Sequence, residues 1–146
     1  MVEVNKEEKE IILKFTLQGL DFETAGEASG KIKRVLQQLG VGSDVIRRIA
    51  ISAYEGEMNV IIHAVRGVMQ AVISPVCTSI TLDDEGPGIG DIELAMREGY
   101  STAPDYVREM GFGAGMGLPN MMRCTDKFEI QSKLGVGTKI RMIIFH

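Results

Sequence analysis

The sequence predicts an α/β (α+β) two-layer sandwich, in which helices pack on one face of a mostly antiparallel, mixed sheet. Two helix patterns come first, an amphipathic one at Phe22 to Leu39 that ends before Gly40 and a nearly all-apolar one at Ser43 to about Val65. Val76 to Leu82 then alternates polar and apolar side chains, as a half-buried strand does. Further strand patterns lie on both sides of these segments, which favours one sheet covered by helices.

The elements follow one another without a repeat, a low-complexity tract or a linker, so we expect a single domain over residues 1–146. Ser43 is the expected N-cap of the long helix. The other predicted elements, in chain order, are a strand at Ile11 to Leu17, a pair of strands at Val68 to Ser74 and Val76 to Leu82 turning near Pro75, a short helix at Asp91 to Glu98, a lid at Tyr100 to Ala114, a helix from Leu118, and strands at about Phe128 to Ser132 and Lys139 to Phe145.

The composition fits one intracellular domain. A chain of 146 residues is long enough to form one core, which buries roughly two-thirds of the unfolded surface. The formal net charge of −4 argues against a general nucleic-acid binder. Cys77 and Cys124 have neither metal-ligand spacing nor a disulfide framework, which indicates a reducing compartment. The charged N-terminus is no signal peptide, and no apolar run approaches the ~20 residues of a membrane span, so we expect a cytoplasmic protein.

A first polar pair interrupts the long helix. Glu55 and Asn59 are one turn apart and share a face, which in most helices is simply a solvated pair. Here the flanking residues, such as Ile49, Ala53 and Val60, are apolar nearly all round the helix and predict burial. Buried polar groups need partners, and a bound metal ion or phosphate would supply them.

Asp84 leads a second polar group, just past the end of the predicted strand and ahead of Gly86 and Gly88. A plain strand-to-helix turn explains this pattern equally well when it is taken alone. A carboxylate in a half-apolar pocket can, however, accept a hydrogen bond from an exocyclic amine such as that of adenine. The glycines would allow the close approach that a flat base needs.

The third group is the glycine ladder from Gly111 to Gly117, which runs into a helical pattern with Pro119 near its first turn. Free backbone N–H groups at such a helix start can bind phosphate oxygens. A flexible linker is the alternative, although linkers rarely run straight into an apolar helix. Seven glycines and alanines lie within Gly99 to Gly117, so we expect Ser101 to Gly115 to form a lid that orders on nucleotide or partner binding.

His63 lies two helical turns beyond Glu55 and is turned by roughly 80° about the helix axis. We therefore expect a packed or rim histidine at this position rather than a catalytic one.

Taken together, the motifs resemble a known superfamily. Their order is Glu-x-x-x-Asn, Asp-x-Gly-x-Gly, Gly-x-Gly-x-Gly-Leu and finally Gly-x-Gly-Thr at Gly135 to Thr138. It resembles the GHKL (Bergerat-fold) ATP-binding superfamily of gyrase, the Hsp90 chaperones, histidine kinases and MutL, over nearly the whole chain. The length is similar to that of the small bacterial serine kinases that act as anti-sigma factors. The run from Gly86 to Thr102 is most similar to the stressosome switch kinase branch.

The resemblance implies a role for each matching residue. Glu55 matches the general base, Asn59 the ligand of the magnesium ion that bridges the ATP phosphates, and Asp84 the carboxylate that recognises the adenine amino group. The remaining ATP-binding positions that it implies are Gly86, Gly88 and Ile89 along the base, Thr138 beside adenine, the lid-side pair Ser101 and Thr102, and Gly113, Gly115, Gly117 and Leu118 at the lid and the phosphate-binding helix start. Glu57 departs from the family pattern by adding a second carboxylate near the base.

The function that the resemblance implies is an ATP- and Mg²⁺-dependent serine/threonine protein kinase of a bacterial partner-switching pathway, acting on a STAS-domain antagonist. The alternative is an anti-sigma factor or nucleotide-gated binding module that acts by sequestration. A sigma factor, a downstream phosphatase and a second copy of the chain are further candidate partners, whereas nucleic acid and membrane are not. We expect neither an ATPase motor, which would need a transducer domain, nor a histidine kinase, which would need a dimerisation helix with a phosphoacceptor histidine.

Overall fold

The computed structural model describes residues 1–97, 101, 103, 105 and 116–146. These residues form one six-stranded sheet in the order β1-β2-β3-β4-β6-β5, and all of its pairings are antiparallel. Its strands are β1 (Val2–Asn5), β2 (Glu10–Gln18), β3 (Arg66–Ile73), β4 (Cys77–Glu85), β5 (Lys127–Lys133) and β6 (Gly137–Phe145). The described helices are α1 (Glu27–Gln38), α2 (Ser43–His63), α3 (Ile92–Ala95) and α4 (Gly117–Cys124).

One face of the sheet carries the core, because side chains alternate between the faces of a strand. Leu13, Ala71, Ile80 and Met142 lie side by side on β2, β3, β4 and β6, and all four are fully buried. They join one apolar cluster with helix residues such as Ile32 and Leu36 of α1 and Ile49 of α2. The predicted two-layer sandwich with helices on one face is therefore confirmed. Within the described ranges, the parallel pair that a mixed sheet requires does not occur.

Helix α1 is shorter than the sequence predicted, because it begins at Glu27 and not at Phe22. Gly26 adopts a left-handed conformation with φ +93°, which a helix cannot continue through. Upstream of it, the Asp21 carboxylate accepts hydrogen bonds from the backbone and hydroxyl of Thr24 and stabilises a turn. The apolar residue Phe22 therefore belongs to a loop, even though it extends the helical pattern.

Both ends of α2 also correct the sequence analysis. The helix starts at Ser43, but the N-cap residue is Gly42 and no side chain caps the helix start, so the prediction of a Ser43 cap was wrong. It ends at His63 rather than near Val65, because Ala64 is extended. The Val65 N–H donates instead to Glu85 O (2.8 Å), which ties the helix exit to the end of β4.

The edge strand β1 was missed by the sequence analysis, since its four residues alternate apolar and polar beside a run of charges. The short helix α3 is confirmed at Ile92–Ala95, and Asp91 caps it by accepting a hydrogen bond from the Leu94 N–H (3.0 Å). No helix in the described part of the chain is long and apolar enough to cross a membrane.

Candidate functional site

Asp84 lies inside β4, one residue before its end, and not past the strand as the sequence predicted, because the pairing with β3 continues to Glu85. It is on the same face of the sheet as the buried residues Ile80 and Leu82. Its Oδ1 accepts a hydrogen bond from the backbone N–H of Thr138 on β6 (3.0 Å). Burial raises the pKa of this carboxyl group above its usual value; the Thr138 hydrogen bond opposes the rise, and the neighbouring charge of Asp83 adds to it. Asp84 is thus a half-buried acceptor anchored through one oxygen.

Two glycines make room for Asp84, a role that the sequence did not predict for either of them. Gly67 faces Asp84 across the β3–β4 pair, where a Cβ atom would lie 3.1 Å from the Asp84 Cβ and 2.9 Å from Val60 Cγ1. A Cβ at Gly137 would collide with the carbonyl oxygen of Asp84. Neither position can carry a side chain without displacing the Asp84 backbone or the helix above it.

The segment after Asp84 is hydrogen-bonded to the end of β5 and to the turn that follows it. Gly86 N donates to Val136 O (3.1 Å), Gly135 N donates to Pro87 O (2.9 Å), and Ile89 N donates to Ser132 Oγ (2.7 Å). Gly88 has φ +73°, and a Cβ there would collide with the carbonyl of Lys133.

These contacts bring together five predicted site residues: Asp84, Gly86, Gly88, Ile89 and Thr138. The Thr138 hydroxyl is buried and lies 2.8 Å from the Ser132 hydroxyl. Ser132 therefore supports both the glycine segment and Thr138, and sequence reasoning missed it because it lies in an ordinary strand pattern.

Glu55 faces the start of α4. Its Oε1 accepts a hydrogen bond from Asn120 Nδ2 (3.1 Å), and Asn120 Oδ1 in turn accepts one from Arg123 Nη2 (2.8 Å). A Cβ on Gly117, the first residue of α4, would lie 3.3 Å from Glu55 Oε2. The predicted base thus lies beside the predicted phosphate-site residue Gly117, and the next residue, Leu118, is buried in the core. Asn120 is a further site residue that no sequence motif indicated.

Asn59 is half-buried one turn after Glu55. Helix α2 approaches β4 closely between them, because a Cβ on the buried Gly56 would lie 2.7 Å from Leu82 Cδ1. Gly56 thereby brings the helix that carries Glu55 and Asn59 onto the strand that carries Asp84. Among the described residues, no group of three or more His, Cys, Asp and Glu side chains is placed to hold a metal ion.

Glu57 has a structural role and does not accompany the base. It is 1% exposed, and its Oε2 accepts hydrogen bonds from Gly26 N (3.1 Å) and Ala28 N (3.2 Å), while Oε1 accepts one from Ser29 N (3.1 Å). Residues two apart on a helix point about 200° apart, so Glu55 and Glu57 face different neighbours. Glu57 supplies the cap that α1 lacks from its own N-terminal residues.

The remaining predicted site residues divide into two groups. Ser101 is described, and its Oγ accepts a hydrogen bond from Ala103 N (3.1 Å). Thr102, Gly113 and Gly115, together with most of the predicted lid, lie outside the described residues.

Two side chains of α2, Tyr54 beside Glu55 and His63 at the helix end, have shifted pKa values. Burial lowers the pKa of His63, which agrees with a packed histidine that is neutral near pH 7. The pKa of Tyr54 is raised by burial first and then by the charges of Glu55 and Glu57, so its phenol group stays protonated.

Comparison with known proteins places the chain in a family. It is 33% identical to the serine/threonine-protein kinase RsbT of Bacillus subtilis over 117 residues, which cover 76% of this chain and 80% of RsbT. It is 34% identical to the anti-sigma F factor of Heyndrickxia coagulans over 102 residues, which cover 70% of this chain and 63% of that protein. The anti-sigma F factor of Clostridium acetobutylicum is 36% identical over 99 residues, which cover 64% of this chain and 66% of that protein.

The chain thus spans most of RsbT and slightly less than two-thirds of the Heyndrickxia anti-sigma F factor. No protein-family model matches it. The relatives confirm the interpretation as a serine/threonine kinase related to anti-sigma factors. This chain belongs to the GHKL-type family of bacterial serine/threonine kinases that includes RsbT and the anti-sigma F factors.

Proposed function

We propose that this chain is an ATP-binding kinase of the stressosome switch branch, which phosphorylates a serine or threonine on a STAS-domain partner. The observation that carries the proposal is the placement of Glu55. Its carboxylate lies against the start of α4. Glu55 belongs to α2, the helix that also bears Asn59 and that packs at Gly56 on β4, the strand that carries Asp84. Nucleotide binding alone does not need a positioned base, so this carboxylate favours a catalytic function. The similarity to RsbT supports the same conclusion.

The surroundings of Asp84 fit an adenine base. A half-buried carboxylate, anchored through Oδ1 to Thr138 N, has further lone pairs with which to accept the exocyclic amino group. Gly86, Gly88 and Ile89 would line the base. Gly86 and Ile89 are held by hydrogen bonds to Val136 and Ser132, and the two glycines place no side chain beside it. Ser132 and Thr138 would offer hydroxyl groups beside it.

The proposed magnesium site rests on Asn59. Mg²⁺ in kinases is held largely by phosphate oxygens and waters, with only one or two protein ligands. An amide oxygen on a half-buried helix face fits that demand. The ion would neutralise charge on the phosphates during transfer.

Phosphoryl transfer then assigns one proton to Glu55. As the partner's hydroxyl oxygen bonds to the γ-phosphorus, the bond between that phosphorus and the β–γ bridging oxygen breaks, and ADP leaves. Glu55 would accept the proton that the hydroxyl loses. Among the described residues no side chain caps the start of α4, and its backbone N–H groups at Gly117 and Leu118 are suited to phosphate oxygens.

A second candidate function is sequestration of a partner, favoured by the similarity to the anti-sigma F factors. A sigma factor would then be the partner, with a downstream phosphatase or a second copy of this chain as further candidates. In this case nucleotide binding would gate affinity, and turnover would be secondary.

One experiment separates the two functions. The chain is incubated with γ-labelled ATP, Mg²⁺ and the STAS-domain proteins encoded near it, and label on the partner is measured. We expect transfer by the wild type and loss of transfer in Glu55→Gln, with ATP affinity retained. Tight partner binding without label in the wild type would favour sequestration and contradict the kinase.

A further inference from the structure

We infer that Asn120 is a positioning residue, which orients the Glu55 carboxylate for proton acceptance. The inference rests on the proposed function, because it takes Glu55 as the base. It adds a residue that lies outside all four sequence motifs.

The first observation is a chain of two hydrogen bonds. Arg123 Nη2 donates to Asn120 Oδ1 (2.8 Å), and Asn120 Nδ2 donates to Glu55 Oε1 (3.1 Å). A guanidinium group can only donate, so it fixes which end of the amide faces it. The NH₂ group of Asn120 is thereby directed at the carboxylate. Asn120 can present only a donor to Glu55.

The second observation is that α4 is fixed against α2 at both ends. At its start, Asn120 contacts Glu55, and Leu118 and Met121 are buried in the core. At its end, Arg48 Nε of α2 donates to Cys124 O (3.1 Å), and Arg48 Nη2 pairs with Asp126 Oδ1 (3.1 Å). Asn120 is therefore presented from a rigid helix, which keeps its amide in one place relative to the base.

The two oxygens of Glu55 are distinguished by this arrangement. Oε1 is held by the amide, while Oε2 lies on the side of Gly117, where a Cβ would be only 3.3 Å away. The amide restrains rotation of the carboxylate, and Oε2 is the atom left to receive the hydroxyl proton. Because Gly117 opens the proposed phosphate-binding helix, Oε2 faces the region where the transferred group would lie.

Steady-state kinetics of phosphotransfer test the role with two variants. Asn120→Ala removes the donor. Asn120→Asp keeps the shape and the acceptor for Arg123, but it places a second carboxylate against Glu55. In both we expect kcat to fall by roughly 3- to 10-fold or more, with the KM for ATP unchanged, as for the loss of one hydrogen bond. In Asn120→Asp the acidic limb of the pH–rate profile should also move to higher pH, because a like charge opposes ionisation of the base.

A purely structural role predicts a different result. Asn120→Asp would then be the milder variant, since its carboxylate strengthens the pairing with Arg123 and holds α4 in place. Met122→Ala is the matched control, because Met122 lies on the same helix, is 51% exposed and should leave kcat unchanged. Values of kcat within twofold of wild type in both Asn120 variants, or an unmoved pH profile in Asn120→Asp, would overturn the inference.

An NMR measurement keeps the inference testable without turnover. The side-chain amide protons of Asn120 should shift upfield and exchange faster with water in Glu55→Ala, because their acceptor is gone. Unchanged amide resonances in that variant would refute the hydrogen bond. A wild-type chain that transfers no phosphate to any partner would instead contradict the proposed function, and this NMR result would still decide whether Asn120 holds Glu55.

Discussion

Folding and nucleotide binding favour different protonation states of the Asp84 carboxyl group. Its pKa is raised by burial, so the folded chain keeps this proton at pH values where the unfolded chain, with the ordinary value of 3.8, has lost it. In that window stability falls as pH rises, because the folded state binds more protons there. Adenine recognition needs the ionised acceptor, so nucleotide affinity should rise over the same window.

We therefore expect Asp84→Asn to abolish measurable Mg-ATP binding, because it replaces the acceptor with an amide that can direct its NH₂ group at the adenine amine. In the wild type, calorimetry should find that binding weakens as the pH falls through the raised pKa of Asp84. Asp83→Asn is the control, since Asp83 lies on the opposite face and pairs at 3.8 Å with Lys139. Wild-type affinity in Asp84→Asn would refute the adenine assignment.

His63 gives a pH dependence of the opposite sign. Its pKa is lowered by burial, so between the folded value and 6.5 the unfolded chain binds more protons than the folded chain. Stability should therefore fall as pH drops below 6.5. Urea titrations of wild type and His63→Asn should converge in acid as the wild type loses this contribution. The His146→Asn control keeps His63 and should keep the loss. A stability difference between wild type and His63→Asn that does not change from about pH 7 to 5.5 would contradict the prediction.

Among the helices, α1 depends on a residue that is distant in sequence. Glu57 accepts three backbone hydrogen bonds at the α1 start, so Glu57→Gln should lower the free energy of unfolding by about 2–4 kcal/mol, because one oxygen acceptor becomes a donor facing N–H groups. Glu27→Gln, in the exposed first turn of the same helix, is the matched control and should cost under ~1 kcal/mol. Equal, small losses in urea denaturation would mean that α1 does not depend on this cap.

Two glycines at the β5–β6 connection, Gly135 in the turn and Gly137 at the start of β6, should respond differently to substitution. Gly135 has φ +76° with open space around it, so Gly135→Ala should cost about 1–2 kcal/mol and leave nucleotide affinity near wild type. Gly137→Ala would drive a Cβ into the Asp84 carbonyl, so we expect a larger loss of stability and weak or no Mg-ATP binding. Thermal melts with and without Mg-ATP measure both effects. Wild-type nucleotide stabilisation in Gly137→Ala would show that the Asp84 site tolerates the displacement.

For the whole molecule, the sequence patterns predicted the helices and strands, which depend on neighbouring residues. Strand alternation predicted the ends of β2 to β6 within three residues, and apolar helix patterns predicted the second layer. The largest difference is at β4, which continues beyond Leu82 to Glu85. The hydrogen bonds between Glu57 and the start of α1 could not be predicted from local patterns, because 28 or more residues separate the partners. Asn120 was missed for the same reason, since its partner Glu55 lies 65 residues away. The start of α1 was misplaced because a left-handed glycine overrides an apolar pattern that continues through it.

We expect the predicted lid to become ordered when nucleotide binds to the molecule. Hydrogen exchange of wild-type chain should find segment 101–115 more protected with Mg-ATP than without it, because phosphate oxygens would hold N–H groups of a glycine-rich segment. Equal and strong protection in both states would mean that the segment does not gate the site. A peptide from β2, which β3 separates from the strand that carries Asp84, serves as the internal reference.

The sheet order sets how freely the length of this segment can vary. Strands β4 and β6 are neighbours, although residues 86–136 separate them in the chain. Two hydrogen bonds hold this segment, one from Ile89 N to Ser132 Oγ and one from Asn120 Nδ2 to Glu55 Oε1. In a polymer description, doubling the length of a loop with fixed ends costs only about 0.6 kcal/mol. Lengthening the chain between Ile89 and Asn120 should therefore change which partners this segment can reach. The strands β4 and β6 on either side should stay paired.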